Sequence, residues 1–282
     1  MTSYDAPVPF TFLAHQAPLL PLARRWPARF DGVALIIGSM APDMAYVLAG
    51  SRLDVWAHDF PALVTFCVPV TLVVSWLVVS VLAPVVPDHL PDLGGFHLRD
   101  LRGLATHRFG VRSGLSALAG ALSHVALDSF THPWGWFARN IAWYAQPLGD
   151  ATWLGAPWTP FRLMQYLGHV GASGLCVLLL HRYGRQRWMT ERAARVTRAR
   201  TSLRSHLVLW IVAGAVTAAG LMWVMVDPAG VAPDVLRAAA CAFAGLCVGS
   251  ALVRSRFGGV LAVSSPGSGP ASWRDRSTPT RW

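Results

Sequence analysis

The stretch Leu63–Val86, LVTFCVPVTLVVSWLVVSVLAPVV, contains no charged residue. A helix needs about 20 mainly apolar residues to cross the hydrocarbon core of a bilayer, so this stretch predicts a transmembrane helix. The segment Leu207–Val226 is equally free of charge. Of the 282 residues, 54% are hydrophobic and only 13% are charged, about half the charged fraction of an average soluble domain. Composition therefore predicts an integral membrane protein.

Four further apolar segments predict an all-α, polytopic protein with about five to six transmembrane helices. The six segments lie near residues 32–50, 63–86, 114–131, 163–180, 207–226 and 235–253. The first is interrupted by Pro42 and Asp43, so it either crosses the membrane or dips in and returns. In the last, Arg237 lies near one end, where a long side chain can snorkel to the interface. The pair Gly245 and Gly249 favours close packing against another helix.

The distribution of arginine orients these segments. Eight arginines lie between residues 182 and 204, and the positive-inside rule assigns that loop to the cytoplasm. Alternation then puts the C-terminus on the same side and the tryptophan-rich loop 132–160 outside, on the membrane surface. We expect a plasma-membrane protein with one helical domain at 1–262 and a disordered tail at 263–282. The basic loop also accounts for the net charge of +10, so no nucleic-acid partner is expected.

One apolar segment carries three ionisable residues on a single face. In GALSHVALDSFTH, His124, Asp128 and His132 follow one another at intervals of four, and they drift only about 80° around a helix. Ionisable residues within a membrane are costly and mark functional sites by default. Imidazole and carboxylate groups at this spacing can bind one metal ion. Alternatively, His124 and Asp128 hydrogen-bond between helices and His132 caps the helix end.

Three polar residues earlier in the chain are further candidates. They are His15 in PFTFLAH, Asp43 in GSMAPDM and His58 in WAHDF. Each has an ordinary alternative, which is amphipathic surface for His15, a helix N-cap for Asp43 and an interfacial position for His58. The predicted topology brings Asp43, His58, Asp128 and His132 toward the outer side, which favours a shared site.

Two weaker candidates lie elsewhere. A His- and Asp-containing group in the inner loop is a metal candidate, although loops carry such residues freely. It consists of Asp88, His89, Asp92, His97, Asp100 and His107. His169 lies in the middle of a predicted span. We interpret it as a hydrogen-bond donor between helices, with an additional metal ligand as the alternative.

The motifs PFTFLAH, GSMAPD and GALSHVALDSFTH resemble those of a bacterial membrane family known as domain of unknown function 4184. They are also similar to a group of membrane-bound metal-dependent hydrolases that shares G-S-x-x-P-D and H-x-x-x-D elements. More distantly, their order is similar to that of the zinc phospholipase C and P1 nuclease superfamily, in which zinc ions cleave phosphoesters. That resemblance implies that His15, Asp43, His58, His124 and Asp128 are metal ligands, with Asp128 bridging.

The same resemblance leaves the number of ions at one or two. His132 lies near the position of a further ligand but at a different spacing, so its expected role is ligand or catalytic proton shuttle. The superfamily's later His-x-x-x-Glu pair has no counterpart, because Glu191 is the only glutamate and lies in the arginine-rich loop. Imidazole and carboxylate ligands suit Zn²⁺ best, with Mn²⁺ or Fe²⁺ as alternatives.

Three functions fit these residues. The first is a membrane-embedded metal-dependent hydrolase acting at the outer face on phosphoesters of a lipid or another membrane-bound substrate. The second is a non-catalytic membrane protein with a structural metal or a polar His/Asp network, and the missing late ligand pair favours it. The third is a metal or proton transporter. The His/Asp series across three segments favours the hydrolase over the transporter, which commonly shows paired halves with matching broken helices.

Overall fold

A computed structural model describes residues 13–91, 93–153, 156–198 and 201–257. Helices dominate these residues, and the two strands among them are two residues long and pair antiparallel. The predicted all-α class is therefore confirmed. The predicted disordered tail and the first residues of the PFTFLAH motif lie outside the described residues.

The helices are numbered here in chain order. They are α1 (Leu19–Arg25), α2 (Gly32–Gly38), α3 (Ala41–Met44), α4 (Phe60–Leu82), α5 (Val86–His89), α6 (Val111–Thr131), α7 (Trp136–Asn140), α8 (Pro160–Arg185), α9 (Thr190–Ala194), α10 (Leu203–Val226) and α11 (Val231–Phe257). Short 3-10 helices cover Ala45–Leu48, Gly94–Phe96, Leu98–Thr106 and Ala142–Ala145, and the strands are β1 (Thr152–Trp153) and β2 (Ala156–Pro157).

Four of the helices in the described part of the chain, α4, α8, α10 and α11, are long and apolar enough to cross a membrane. They match four of the predicted segments, and they support the membrane class. Helix α4 begins three residues before the charge-free stretch, because Asp59 caps it by accepting the backbone N–H of Ala62. A capped first turn satisfies donors that would otherwise be unpaired.

The two other predicted segments, at 32–50 and 114–131, pack against each other. The segment at 32–50 is broken into α2, α3 and the 3-10 helix Ala45–Leu48. Pro42 accounts for the break, because proline has no N–H to donate and its ring collides with the carbonyl of the residue four positions earlier. Helix α6 has 21 residues but is not among the four apolar ones, since serine, glycine, histidine and aspartate interrupt its apolar surface.

Helices α2 and α6 run in the same direction and touch backbone to backbone at two glycines. A Cβ on Gly38 would collide with the Ala117 carbonyl oxygen, and one on Gly120 with the Leu35 carbonyl oxygen. Only glycine lets the two helices approach this closely. This crossing sets the distance between α2 and α6. It lies just before α3, which approaches the C-terminal end of α6.

Asp31 anchors the other end of this pair. Its carboxylate accepts backbone N–H groups from the first turn of α2 and also bonds to Ser113 Oγ and His107 Nε2. Its own N–H donates to Ser116 Oγ at 2.9 Å. Burial opposes ionisation of Asp31, but the hydrogen bonds from His107 and Ser113 outweigh it and hold the pKa of this carboxyl below its usual range.

Helices α10 and α11 form a tight hairpin. A Cβ on Gly245 would lie 2.6 Å from the Ala213 carbonyl oxygen, and one on Gly249 2.8 Å from that of Leu209. The predicted close packing at this glycine pair is confirmed. The predicted snorkelling of Arg237 is wrong, because its side chain is buried and its guanidinium donates to backbone carbonyls.

The loop between α6 and α8 folds into short pieces rather than a domain. It contains α7, the 3-10 helix Ala142–Ala145 and the β1–β2 hairpin. Tyr144 ties it to the end of α6 by donating to the Phe130 carbonyl oxygen at 2.7 Å. Trp136 and Trp143 are exposed, as expected for tryptophans that lie at a membrane surface.

Candidate metal centre

Helix α6 carries the first half of the site. His124 and Asp128 lie one turn apart on its buried face, with His124 Nε2 and Asp128 Oδ2 3.1 Å apart. The helix ends at Thr131, so His132 is the first residue beyond it. Its Nδ1 nevertheless lies 3.4 Å from Asp128 Oδ1. All three residues of the predicted stripe therefore meet at the same end of α6.

Asp43 reaches this stripe from α3. It lies in the first turn of that helix, directly after Pro42, where proline and a carboxylate are both favoured. The N-cap position belongs to Met40, so the alternative role of Asp43 as N-cap is not observed. The Oδ1 atom of Asp43 is 3.4 Å from His124 Nε2 and 3.7 Å from His58 Nε2.

His58 joins the group from the segment before α4. Because Asp59 caps α4, His58 is held one residue outside the helix. Its ring packs against Trp56 and Trp134, with centroid distances of 4.9 and 5.0 Å. Its Nε2 lies 3.4 Å from Asp128 Oδ2. Three separate parts of the chain thus meet around Asp128.

Four of these side chains form a compact set of donors. Asp43, His58, His124 and Asp128 each offer one nitrogen or oxygen atom, and these atoms lie within 4.8 Å of one another. Their His–Asp distances run from 3.1 to 3.7 Å. Ligands bound at 2.0–2.1 Å at the corners of a tetrahedron are about 3.3–3.4 Å apart. The His–Asp distances are therefore close to those around one tetrahedral ion, although the four atoms as a set spread over as much as 4.8 Å.

The hydrogen bonding of His124 fixes which ring nitrogen faces the other members of the group. Its Nδ1 lies 2.7 Å from the Ser39 carbonyl oxygen, which can only accept, so Nδ1 carries a proton and Nε2 is the nitrogen that faces the Asp43 and Asp128 carboxylates. Within the described residues, His124 Nε2, His58 Nε2 and Asp128 Oδ1 are buried without a hydrogen-bond partner. Buried polar atoms rarely lack partners, and a carbonyl behind a metal-binding imidazole is a common way to orient it.

His15 lies beside the four donors rather than among them. Its ring stacks on His124 at 4.0 Å, and its Nε2 is 3.4 Å from Asp128 Oδ1. Burial, together with the neighbouring His124, lowers the pKa of His15 to about 3, so this ring is neutral at physiological pH. The Asp128 carboxylate consequently faces two sets of nitrogens, with Oδ2 toward His58 and His124 and Oδ1 toward His15 and His132.

The cluster is partly open to solvent. The side chains of Asp43 and His132 are 15% and 17% exposed, whereas that of His124 is 1% exposed. Solvent therefore reaches the group at Asp43 and at His132, and these two positions are its opening. Trp134, which stacks on His132 at 4.9 Å, lines the same opening.

Helix α8 contributes two residues from the second half of the chain. The Gln165 side-chain nitrogen lies 3.4 Å from His132 Nε2, and His169 lies one turn further along, close enough to His132 to interact electrostatically. The expected interhelical hydrogen bond of His169 is not seen at its buried Nε2, which has no partner in the part of the chain that the structure describes. Gln165 was missed in the sequence because a neutral amide is a weak signal. Its four-residue spacing from His169 was the available clue.

The inner-loop histidines do not converge on a second site. Each uses a ring nitrogen on a different partner, which is Ser205 for His89, Arg187 for His97 and Asp31 for His107. Asp88 and Asp100 pair with Arg102 and Arg187. Asp92 lies outside the described residues. This group is therefore held in hydrogen bonds and ion pairs that join the loop to its neighbours.

Fold and site together define a helical membrane protein with a buried His/Asp group that could hold a metal ion. The chain belongs to the family called domain of unknown function 4184, whose sequence profile matches residues 8–255. No curated protein and no solved structure matches the chain.

Proposed function

We propose that this protein is a metal-dependent hydrolase of the plasma membrane that cleaves phosphoesters at its outer face. The observation that carries the proposal is the set of four donors from Asp43, His58, His124 and Asp128, three of them buried, whose ligand atoms lie within 4.8 Å of one another. Two imidazoles and two carboxylates suit Zn²⁺, with Mn²⁺ or Fe²⁺ as alternatives. Such an ion lowers the pKa of a bound water from about 15.7 to about 7 and thus supplies hydroxide at neutral pH.

The remaining residues have distinct tasks in this proposal. His132 is partly exposed and contacts Asp128 Oδ1, so it is placed to pass a proton between solvent and the centre. Gln165 orients the His132 ring from the other side. His15 faces Asp128 Oδ1, whereas His58 and His124 face the other oxygen of this carboxylate, Oδ2. It would be the ligand of a second ion, for which Asp128 would be the bridging carboxylate.

The surroundings of the opening support a membrane-bound substrate. Trp56, Trp136 and Phe60 are exposed on this side of the protein, and tryptophan favours the headgroup region of a bilayer. The basic residues of the arginine-rich segment lie at the opposite end of the molecule, where Arg187 contacts His97 and Asp100. The positive-inside rule then assigns the opening to the outer leaflet. We therefore propose a lipid or a lipid-linked phosphoester as substrate.

A second candidate is a non-catalytic protein in which the same group is structural. The deep burial of three of the four donors favours it, since structural metal sites are closed and catalytic ones keep an open position. Burial disfavours a charged His58 ring, but the Asp128 and Asp43 carboxylates outweigh burial and raise its pKa. A shared proton can therefore take the place of the ion in this candidate.

Metal content and activity of the purified protein separate the candidates. Elemental analysis is expected to find at least one Zn²⁺, Mn²⁺ or Fe²⁺ per wild-type chain and none after Asp128→Ala or His124→Ala. His206→Ala is the matched control and should keep the metal, because it removes a histidine from the first turn of α10, outside the His/Asp group. Hydrolysis of bis(4-nitrophenyl) phosphate should follow metal content. A metal-free wild type would exclude the hydrolase, and metal without hydrolysis would support the structural role.

A further inference from the structure

Arg237 is a charged residue near the start of the apolar helix α11, and it is only 4% exposed. Its guanidinium donates hydrogen bonds to three backbone carbonyl oxygens. Nη2 donates to the Ala49 carbonyl oxygen at 2.6 Å, Nε to that of Val47 at 3.3 Å and Nη1 to that of Asp227 at 3.0 Å. The Asp234 carboxylate is 3.9 Å from Nη1, the outer limit of an ion pair. Carbonyl oxygens therefore provide most of the stabilisation of this buried charge.

Two of these carbonyls belong to the segment that carries Asp43. The 3-10 helix that continues α3 ends at Leu48, and the chain turns away at Gly50 with a φ of 73°. The last carbonyls of a helix have no partner within it, and a cation is favoured at that end. Arg237 thus binds the segment about one helical turn beyond Asp43.

The opposite end of the same segment forms part of the metal centre. Asp43 contacts His58 and His124 there, while the small side chains of Ala41 and Ala45 are buried in the cluster formed with Ala57, Ala62, Leu63, Cys67 and Ala121. Alanine contacts allow a helix to slide more easily than large interlocking side chains do. The directional hydrogen bonds from Arg237 to the Val47 and Ala49 carbonyl oxygens are therefore a contact that can fix the position of the segment along its axis.

We propose that Arg237 is a positioning residue for the metal centre, holding residues 41–48 so that the Asp43 carboxylate reaches His58 and His124. Trp223, whose ring centroid is 5.2 Å from the Arg237 guanidinium carbon, covers the guanidinium and keeps it in place. The inference rests on the proposed metal binding, but not on hydrolysis. It assigns to the α10–α11 hairpin a role in a site whose ligands all come from the first half of the chain.

Binding of Co²⁺ to the full-length, metal-free protein in detergent tests this role, because the visible absorption of Co²⁺ changes with the number and type of its ligands. We expect Arg237→Gln to weaken Co²⁺ binding about tenfold, the lower end of the loss seen when residues behind metal ligands are removed. It should also shift the spectrum in the same direction as Asp43→Asn does. Arg254→Gln is the matched control, since Arg254 lies on the same helix and donates to the Ser80 carbonyl oxygen.

A double-mutant cycle separates positioning from a general loss of stability. In the Asp43→Asn background, Arg237→Gln should weaken Co²⁺ binding by less than about twofold further, because its effect passes through Asp43. Arg237→Lys, which keeps the charge but loses the planar fork, should bind with intermediate affinity. If Arg237→Gln does not fold, the Arg237→Lys variant provides the test.

Two results would overturn the positioning role. One is a wild-type Co²⁺ spectrum and affinity in both Arg237 variants, and the other is a full, additive loss in the double mutant. A wild-type protein that binds no Co²⁺ would instead refute the metal centre itself. The failure of the proposed function and the failure of this inference are therefore distinguishable.

Discussion

At the residue scale, the two nitrogens of His124 have opposite tasks. Nδ1 donates to the Ser39 carbonyl oxygen, so Nε2 points toward the Asp43 and Asp128 carboxylates. Two carboxylates that share a buried site repel one another unless a positive charge lies between them. A cation or a proton between them removes this repulsion, which is why the group as a whole indicates a binding site.

Replacing His124 and His132 should separate metal binding from proton transfer. His124→Ala removes one of the four close donors and is expected to abolish metal retention through purification. His132→Gln leaves those donors in place, so it should keep the metal and lower hydrolysis about a hundredfold, the lower range for general acid–base groups. Elemental analysis and initial rates on the same preparations measure both effects. Loss of metal in His132→Gln would instead make His132 a ligand.

Part of this site was predictable from single residues. The spacing of His124 and Asp128 follows from helix geometry alone, because residues four apart share a face. The distances of Asp43 and His58 from that stripe are tertiary facts, since they depend on the break at Pro42 and on the Asp59 cap. Those two residues are 15 positions apart in sequence, and their side chains approach to 3.7 Å beside Asp128. No local pattern encodes that contact.

At the element scale, the crossing of α2 and α6 controls the site. Gly38 and Gly120 bring the two backbones together a few residues before Asp43 and His124. A change in this separation moves α3 relative to α6. The Asp43 carboxylate would then lie at a different distance from His124.

Alanine substitutions on α6 should show this control. Gly120→Ala places a methyl group against the Leu35 carbonyl oxygen, and we expect it to lower the free energy of unfolding by about 1–3 kcal/mol. Gly114→Ala is the matched control on the same helix, where a Cβ meets no atom of the described residues within 4 Å. It should raise stability by up to about 1 kcal/mol because alanine is the better helix former. Chemical denaturation in detergent measures both, and equal effects would contradict the assigned crossing.

Asp31 provides a pH test at the other end of the same pair. Asp31→Ala removes the cap of α2 and the bonds to His107 and Ser113, at an expected cost of about 2 kcal/mol near pH 7. Because folding lowers the pKa of Asp31 from 3.8, its contribution is present above that value and is lost as the pH falls through the folded-state pKa.

The difference between wild type and Asp31→Ala should therefore shrink below about pH 4. Denaturation curves from pH 7 to pH 3 measure it. Asp54→Ala, which changes an exposed loop carboxylate, should stay within about 0.5 kcal/mol of wild type throughout. A gap that widens in acid would show that the Asp31 carboxylate does not provide the stabilisation.

The helices themselves were largely predictable, and their irregularities were not. Long apolar runs become helices in a bilayer because every backbone group must be satisfied internally, and α4, α8, α10 and α11 follow that rule. The buried position of Arg237 was predicted wrongly. Local sequence shows a long charged side chain near a helix end, but not that a second segment presents two free carbonyls to it.

At the scale of the whole molecule, the basic side of the protein and the His/Asp group lie at opposite ends of α6. Asp31 and His107 lie toward the start of α6, and Arg187 of the arginine-rich segment contacts the loop that leads to it, whereas the His/Asp group lies at its end. The positive-inside rule predicts that the first end faces the cytoplasm. The predicted orientation thus places the open side of the cluster outside.

Reporter fusions test this orientation. A fluorescent protein that matures only in the cytoplasm should be bright when fused after Arg204 and dark when fused after Ala145, within the loop that follows α6. A periplasmic or extracellular enzyme reporter should give the opposite pattern. Activity of the enzyme reporter after Arg204 would invert the topology and move the proposed hydrolysis to the inner face.

The contacts of Arg237 also constrain how the protein is made. They join positions 188 and 190 residues apart, and at a synthesis rate of about 5–20 residues per second the ribosome needs roughly 10–40 s to pass from one to the other. During that interval the nascent carbonyls of Val47 and Ala49 depend on water, lipid headgroups or the insertion machinery. These two carbonyls therefore gain their arginine partner only after α11 has been made, and a chain that terminates upstream of α11 would lack both contacts.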